Sequence, residues 1–133
     1  MTVLVDSTIW SLALRRKIAE SRESSELARL VQRGEVRLIG AVRQEVLSGV
    51  SSDERFVALR DRLRSFPDLP LTQVHYERAA HYCNLCRARG IQGSPTDFLI
   101  CAASVMHRFS IFTTDKDFEH YSKHLPIQIH EVH

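Results

Sequence analysis

The chain has 133 residues, 44% hydrophobic and 26% charged, with 18 basic and 16 acidic side chains and a formal charge of +2. This size and balance predict one globular domain over residues 1–133 with a core of its own, and they exclude a low-complexity or disulfide-stapled chain. A net charge this small neither demands nor excludes a nucleic-acid partner, because a polyanion binder needs only a local basic patch.

In chain order, "TVLV" (2–5) predicts a short buried strand, β-prone and uncharged, with Asp6 directly after it. "STIWSLALRR" predicts a helix. A second helix covers about 21–33, with Leu27, Leu30 and Val31 on its apolar face and Gly34 as terminator. "VRLIG" (36–40) is a second strand candidate, followed by a short helix over "AVRQEVLS". A helix over 52–65 lines up Phe56, Leu59, Leu63 and Phe66, and Pro67 and Pro70 end it. A longer helix runs from Thr72 to Arg89, closed by Gly90. Ser94 and Pro95 open the helix of "SPTDFLICAA". "FSIFTT" (109–114) is a third strand, "DKDFEHYSKH" a short polar helix or turn, and "IQIHEV" (127–132) a final strand. Strands alternating with helices predict an α/β fold with a mainly parallel sheet and helices on both faces. Sites in such sheets form at the carboxyl ends of the strands.

That rule singles out acids. Asp6 and Asp115 each follow a strand candidate and would emerge on one edge; Glu45 lies on the helix after the second strand, and Asp97 begins the helix leading into the third. Each also has a plainer job. Ser94-Pro95-Thr96-Asp97 is a good capping box, Asp6 could cap the first helix, and Glu45 could simply face solvent. Thr114 and Asp117 fit a second capping box, which leaves Asp115 freer than Asp117 to serve as a fourth site acid. Carboxylates within ~4 Å of each other repel by several kcal/mol at an effective dielectric near 20, so a cluster must take up protons or a cation. Mg2+ and Mn2+ favour oxygen ligands. They polarise phosphoryl oxygens and lower the pKa of water, which suits phosphodiester hydrolysis without a His, Ser or Cys nucleophile.

The succession "VLVDST", "VRQEVLSG", "SPTDFLICAA" and "IFTTDKDF" resembles the PIN-domain nucleases, and among them the small VapC-type toxins of toxin–antitoxin pairs, over almost the whole chain. The resemblance implies an α/β fold with a parallel sheet and a Mg2+- or Mn2+-dependent endoribonuclease. Asp6 and Asp97 would be the principal metal ligands. Glu45 would complete the cluster directly or through water, and Asp115 matches the fourth acid. Thr113, and with it Ser7, matches a hydroxyl near the site, and Lys116 is placed beside Asp115. The resemblance also implies an antitoxin that covers or invades the acidic site, and a homodimer. Longer nucleases of the superfamily carry further acids around the third and fourth motifs. Between Glu77 and Asp97 this chain has none, which leaves open whether one ion or two act.

Other features have plainer readings. "CNLC" (83–86) lacks a second ligand pair, and Cys83 and Cys86 fit a buried stripe with Tyr76 and Ala79 or Ala80. Three cysteines, with Cys101, suit a reducing compartment. The first residues lack a signal-peptide pattern, and no run approaches the ~20 apolar residues that span a bilayer, so a cytoplasmic protein with no membrane partner is expected. His120, His124, His130 and His133 show no pairing that would support two-imidazole catalysis. The clusters Arg15-Arg16-Lys17, Arg60/Arg62/Arg64 and Arg87/Arg89 are solvated helix faces by default. Trp10 could be core or could join a partner groove. Two rivals remain: a receiver-like domain phosphorylated on Asp, which should show paired acids where Asp6 stands alone, and a non-catalytic RNA- or antitoxin-binding relative.

Overall fold

The computed structural model describes residues 1–15 and 21–132, with Arg15 as backbone only. Arg16, Lys17 and His133 therefore lie outside the described residues.

A parallel sheet in the order β2-β1-β3 organises the chain. Its strands are β1 (Val3–Val5), β2 (Val36–Arg37) and β3 (Ser110–Phe112). Val3 lies opposite Val36 on one side and Ser110 on the other, and Val5 lies opposite Phe112. Successive side chains of a strand point to opposite faces. All three residues of β1 are fully buried, so both faces of the sheet are covered, which explains a strand without alternation. Single parallel bridges widen the sheet at its two margins, Leu38 to Asp68 and Ile111 to Ile129.

Seven helices are formed among the described residues: α1 (Ser7–Arg15), α2 (Arg22–Gln32), α3 (Gly40–Leu47), α4 (Asp53–Leu63), α5 (Gln73–Arg87), α6 (Pro95–His107) and α7 (Asp117–Ser122). Their ends follow local chemistry. The Ser21, Ser52 and Ser94 hydroxyls cap α2, α4 and α6 by accepting the N–H three residues on. Gly34 and Gly90, just past α2 and α5, adopt φ of 68° and 75°, which costs a glycine nothing. α6 is apolar nearly all round and sits in the core, burying Phe98 and the run from Ile100 to Ser104. None of the described helices is long and apolar enough to cross a membrane.

Several expectations shift. The strand over 36–40 is cut to two residues because Gly40 already belongs to α3. The strand over 127–132 reduces to a bridge: β3 is short and offers that neighbour only Ile111, whose N–H goes to Gln128 and whose carbonyl takes the His130 N–H. Val31 is exposed, and α2 buries the narrower pair Leu27 and Leu30. The stripe of α5 is rotated by one residue to His75, Ala79, Tyr82 and Cys86, leaving Tyr76 in solvent and Cys83 half-buried. The segment expected as a polar helix or turn is an amphipathic helix that buries Phe118 and Tyr121. Trp10 is core, tilted against Phe66 with ring centroids 5.0 Å apart.

Candidate metal centre

Parallel pairing puts the chain after β1 and the chain after β3 on one edge. The Asp6 N–H donates to the Phe112 carbonyl at 2.9 Å, and the next residue, Thr113, donates its hydroxyl to Asp6 Oδ2 at 2.7 Å. Asp6 is only 3% exposed, so its oxygens need donors. Oδ1 accepts the Ser7 N–H at 2.7 Å and Oδ2 the Thr8 hydroxyl at 3.1 Å. The Asp6 carbonyl also accepts the N–H groups of Ile9 and Trp10. Asp6 therefore opens α1 and faces the site at once.

Glu45 is carried in by α3. Val42 and Val46 anchor that helix in the core, and Arg43 ties it to the end of α4 through the Leu63 carbonyl and to the segment after it through Asp68 (2.8 Å) and the Phe66 carbonyl. The Ser7 hydroxyl then donates to Glu45 Oε1 at 2.6 Å, joining the second acid to the first.

Asp97 stands in the first turn of α6, where Ser94 Oγ accepts its N–H at 3.1 Å. Its own carboxylate accepts the Tyr121 hydroxyl at 2.7 Å. The expected box from Thr114 to Asp117 is not formed. Asp115 Oδ1 accepts the Asp117 N–H at 2.9 Å, and the Thr114 N–H goes to Thr8 Oγ1 instead. Asp115 is nearer than Thr114 and a stronger acceptor, so it shapes the turn into α7 itself. This frees the Asp117 carboxylate. One oxygen from each of Asp97, Asp115 and Asp117 lies within 4.8 Å of the others. Asp115 and Asp117 are thus not alternatives; both border the same space.

Burial pushes the Asp6 carboxyl above its usual range against the pull of its hydroxyl and amide donors, and the charge on Glu45 pushes the same way. Burial likewise raises Asp97, opposed by Tyr121 and Ser94 and reinforced by the charges on Asp6 and Asp115. The Tyr121 hydroxyl is pushed far up by burial and by Asp97, so it remains a donor. Among the described residues no Lys or Arg forms an ion pair with any of these five acids. Lys116 is exposed at the start of α7. Asp6, Glu45, Asp97, Asp115, Asp117, Ser7 and Thr113 therefore lie at one edge of the sheet. Thr8 and Tyr121 were not anticipated. Tyr121 lies four residues after Asp117, one turn along the same helix face, and that spacing was the available signal.

The remaining candidates form no hydrogen bond or ion pair with the five acids among the described residues. Arg60 and Arg64 pair with Asp61, and Arg87 and Arg89 are exposed. Cys83, Cys86 and Cys101 are free thiols. The histidines do find partners: His130 meets Glu26 at 2.5 Å, and His75 meets His107 at 3.0 Å.

Comparison with known proteins agrees with the fold. The PIN domain family model matches residues 3–124. Among solved structures, the crystal structure of FitAcB from Neisseria gonorrhoeae is 17% identical, covers 98% of this chain and 97% of its own, and superposes with a TM-score of 0.78. VapBC2 from Rickettsia felis, bound to a DNA fragment from its promoter, is 15% identical, covers 98% of both chains and has the same TM-score of 0.78. A toxin–antitoxin complex from Klebsiella pneumoniae is 17% identical over 88% of this chain and 90% of that one, with a TM-score of 0.66. No curated protein sequence matches. At such identities the structural likeness speaks for the fold, while the family model spans nearly the whole chain and displaces the receiver-like alternative: the chain belongs to the PIN domain family.

Proposed function

We propose that this protein is a Mg2+- or Mn2+-dependent endoribonuclease, acting in the cytoplasm as the toxin of a toxin–antitoxin pair. The observation that carries the reading is the convergence of Asp6, Glu45, Asp97, Asp115 and Asp117 at the carboxyl edge of the sheet, with no basic side chain paired to them among the described residues. Such a set fits a hard divalent cation. Its donors are all carboxylate oxygens, no described basic side chain pairs with them, and a cation would offset the burial, and to a lesser degree the mutual repulsion, that raises Asp6 and Asp97. Asp6, Asp97 and Asp115 would hold it, with Glu45 and Asp117 direct or through water; whether one ion or two bind stays open.

A divalent cation bound there supplies Lewis-acid polarisation of a phosphoryl oxygen and a more acidic water. The chain's own residues do the positioning. Ser7, Thr8 and Thr113 fix both oxygens of Asp6. The Ser7 hydroxyl also orients Glu45 while its N–H holds Asp6, so one residue links two acids. Lys116, exposed beside Asp115, is free to meet a backbone phosphate. The solved structures it superposes on include a toxin–antitoxin complex, which supports an antitoxin partner; we propose on the motif resemblance that this partner covers the acidic edge and that the protein forms a homodimer.

The test is RNA cleavage by purified wild type, Asp6→Asn and Asp97→Asn with Mg2+ or Mn2+. Either variant should lose at least about a hundredfold in rate, and EDTA should abolish wild-type cleavage. Undiminished cleavage by both folded variants would refute the reading, and RNA binding without cleavage in either metal would mark a non-catalytic relative.

A further inference from the structure

Tyr121 has no role in the reading above, yet among the described residues it is the one aromatic hydroxyl that reaches an acid of the site. Its side chain is fully buried. Phe98 tilts against the ring with centroids 5.1 Å apart, and Phe118 meets it edge-on at 5.2 Å. Gly93 closes the remaining side. A Cβ on Gly93 would lie 2.3 Å from the Tyr121 hydroxyl oxygen and 2.8 Å from Cζ, so only glycine leaves the phenol its place. A hydroxyl held this tightly is aimed, and it donates to Asp97 Oδ2 at 2.7 Å.

We propose that Tyr121 is a positioning residue for Asp97, held by Gly93, Phe98 and Phe118, and that its hydroxyl sets the orientation in which the Asp97 carboxylate meets a divalent cation. The inference rests on the cation-site reading and deepens it. Ser94 fixes only the backbone of Asp97. Two side-chain torsions remain, and a carboxylate in a turn facing Asp115 and Asp117 would swing away from their charge. The Tyr121 bond stops that swing. Gly93, Ser94 and Phe98 lie on the same short stretch as Asp97, so one segment carries the acid and shapes the slot for the phenol that restrains it. Partners of this kind typically change metal affinity or activity about 10–100-fold when removed.

The experiment is calorimetric titration of wild type, Tyr121→Phe and Gly93→Ala with Mn2+, at a temperature where each is fully folded, paired with RNA-cleavage kinetics. Tyr121→Phe keeps the ring and should weaken Mn2+ binding about tenfold, lowering kcat while leaving KM for RNA nearly unchanged. Gly93→Ala perturbs the hydroxyl from the other side and should weaken Mn2+ in the same direction, so a variant that fails to fold leaves the other to decide. Mn2+ affinity equal to wild type in the folded variants would overturn the role of Tyr121 and leave the cation site standing. No Mn2+ binding by wild type would overturn both.

Discussion

Asp6 is a carboxylate almost out of water, and its surroundings both restrain and strain it. Three donors hold it, while burial and Glu45 weigh against its charge. Asp97 is strained in the same sense. A folded-state pKa raised above the unfolded value means that the folded chain holds the proton more tightly. The associated stability is full below the unfolded pKa of about 3.8 and is lost as pH rises through the folded one. Near pH 7 such a carboxylate therefore costs stability, as active-site charges often do. Asp97→Asn keeps an acceptor for Tyr121 and should raise Tm by a few degrees in metal-free buffer near pH 7. The gain should shrink toward about pH 4 and with added Mg2+. A lower Tm for the variant near pH 7 would contradict this account. At this scale Asp6, Asp97, Asp115 and Asp117 were visible as candidates because each sits next to a strand end or a cap, whereas Glu45, inside α3, stood out only by its place after the second strand. Tyr121 was not, because its bond to Asp97 spans 24 positions and depends on how α7 packs against α6.

Among the elements, termini were readable where one residue dictates them: Ser94 and Pro95 open α6, and Gly34 and Gly90 follow α2 and α5. Ser94→Ala should cost about 1 kcal/mol in urea unfolding, a typical loss for a serine cap. Helix phase was less readable. Periodicity marks an apolar stripe but allows a rotation of one residue, so the spacing alone puts Tyr76 in the stripe where the structure buries His75. The consequence is chemical. His75 Nδ1 accepts the Thr72 N–H at 3.0 Å, so its proton sits on Nε2 and is donated to His107. Burial and the His107 charge lower the His75 pKa. The unfolded chain then binds more protons, and stability present above the unfolded pKa of about 6.5 is lost as pH falls through the folded one. Tm should therefore drop between about pH 7.5 and 5.5, and less so in His75→Gln, which can rebuild the capping box with Thr72. An equal drop in both proteins would exclude His75 as the cause.

For the whole molecule, the order of strands and helices was enough to foresee the parallel sheet and the edge where the acids meet, because connection rules leave few topologies for that order. What the chain order could not convey is long-range: which marginal segment completes the sheet, and that Asp115 rather than Thr114 shapes the turn into α7, so that Asp117 joins the cluster. The same fold occurs in solved structures about 15–17% identical. That is expected when a buried parallel core tolerates apolar exchange while its strand ends stay in place. The central claim is that this edge is a divalent-cation site. Crystals grown with millimolar Mn2+ and measured at the manganese absorption edge test it most directly. The account predicts an anomalous peak among the carboxylates of Asp6, Asp97, Asp115 and Asp117. A peak bound elsewhere, or none there with those carboxylates in place, would contradict it.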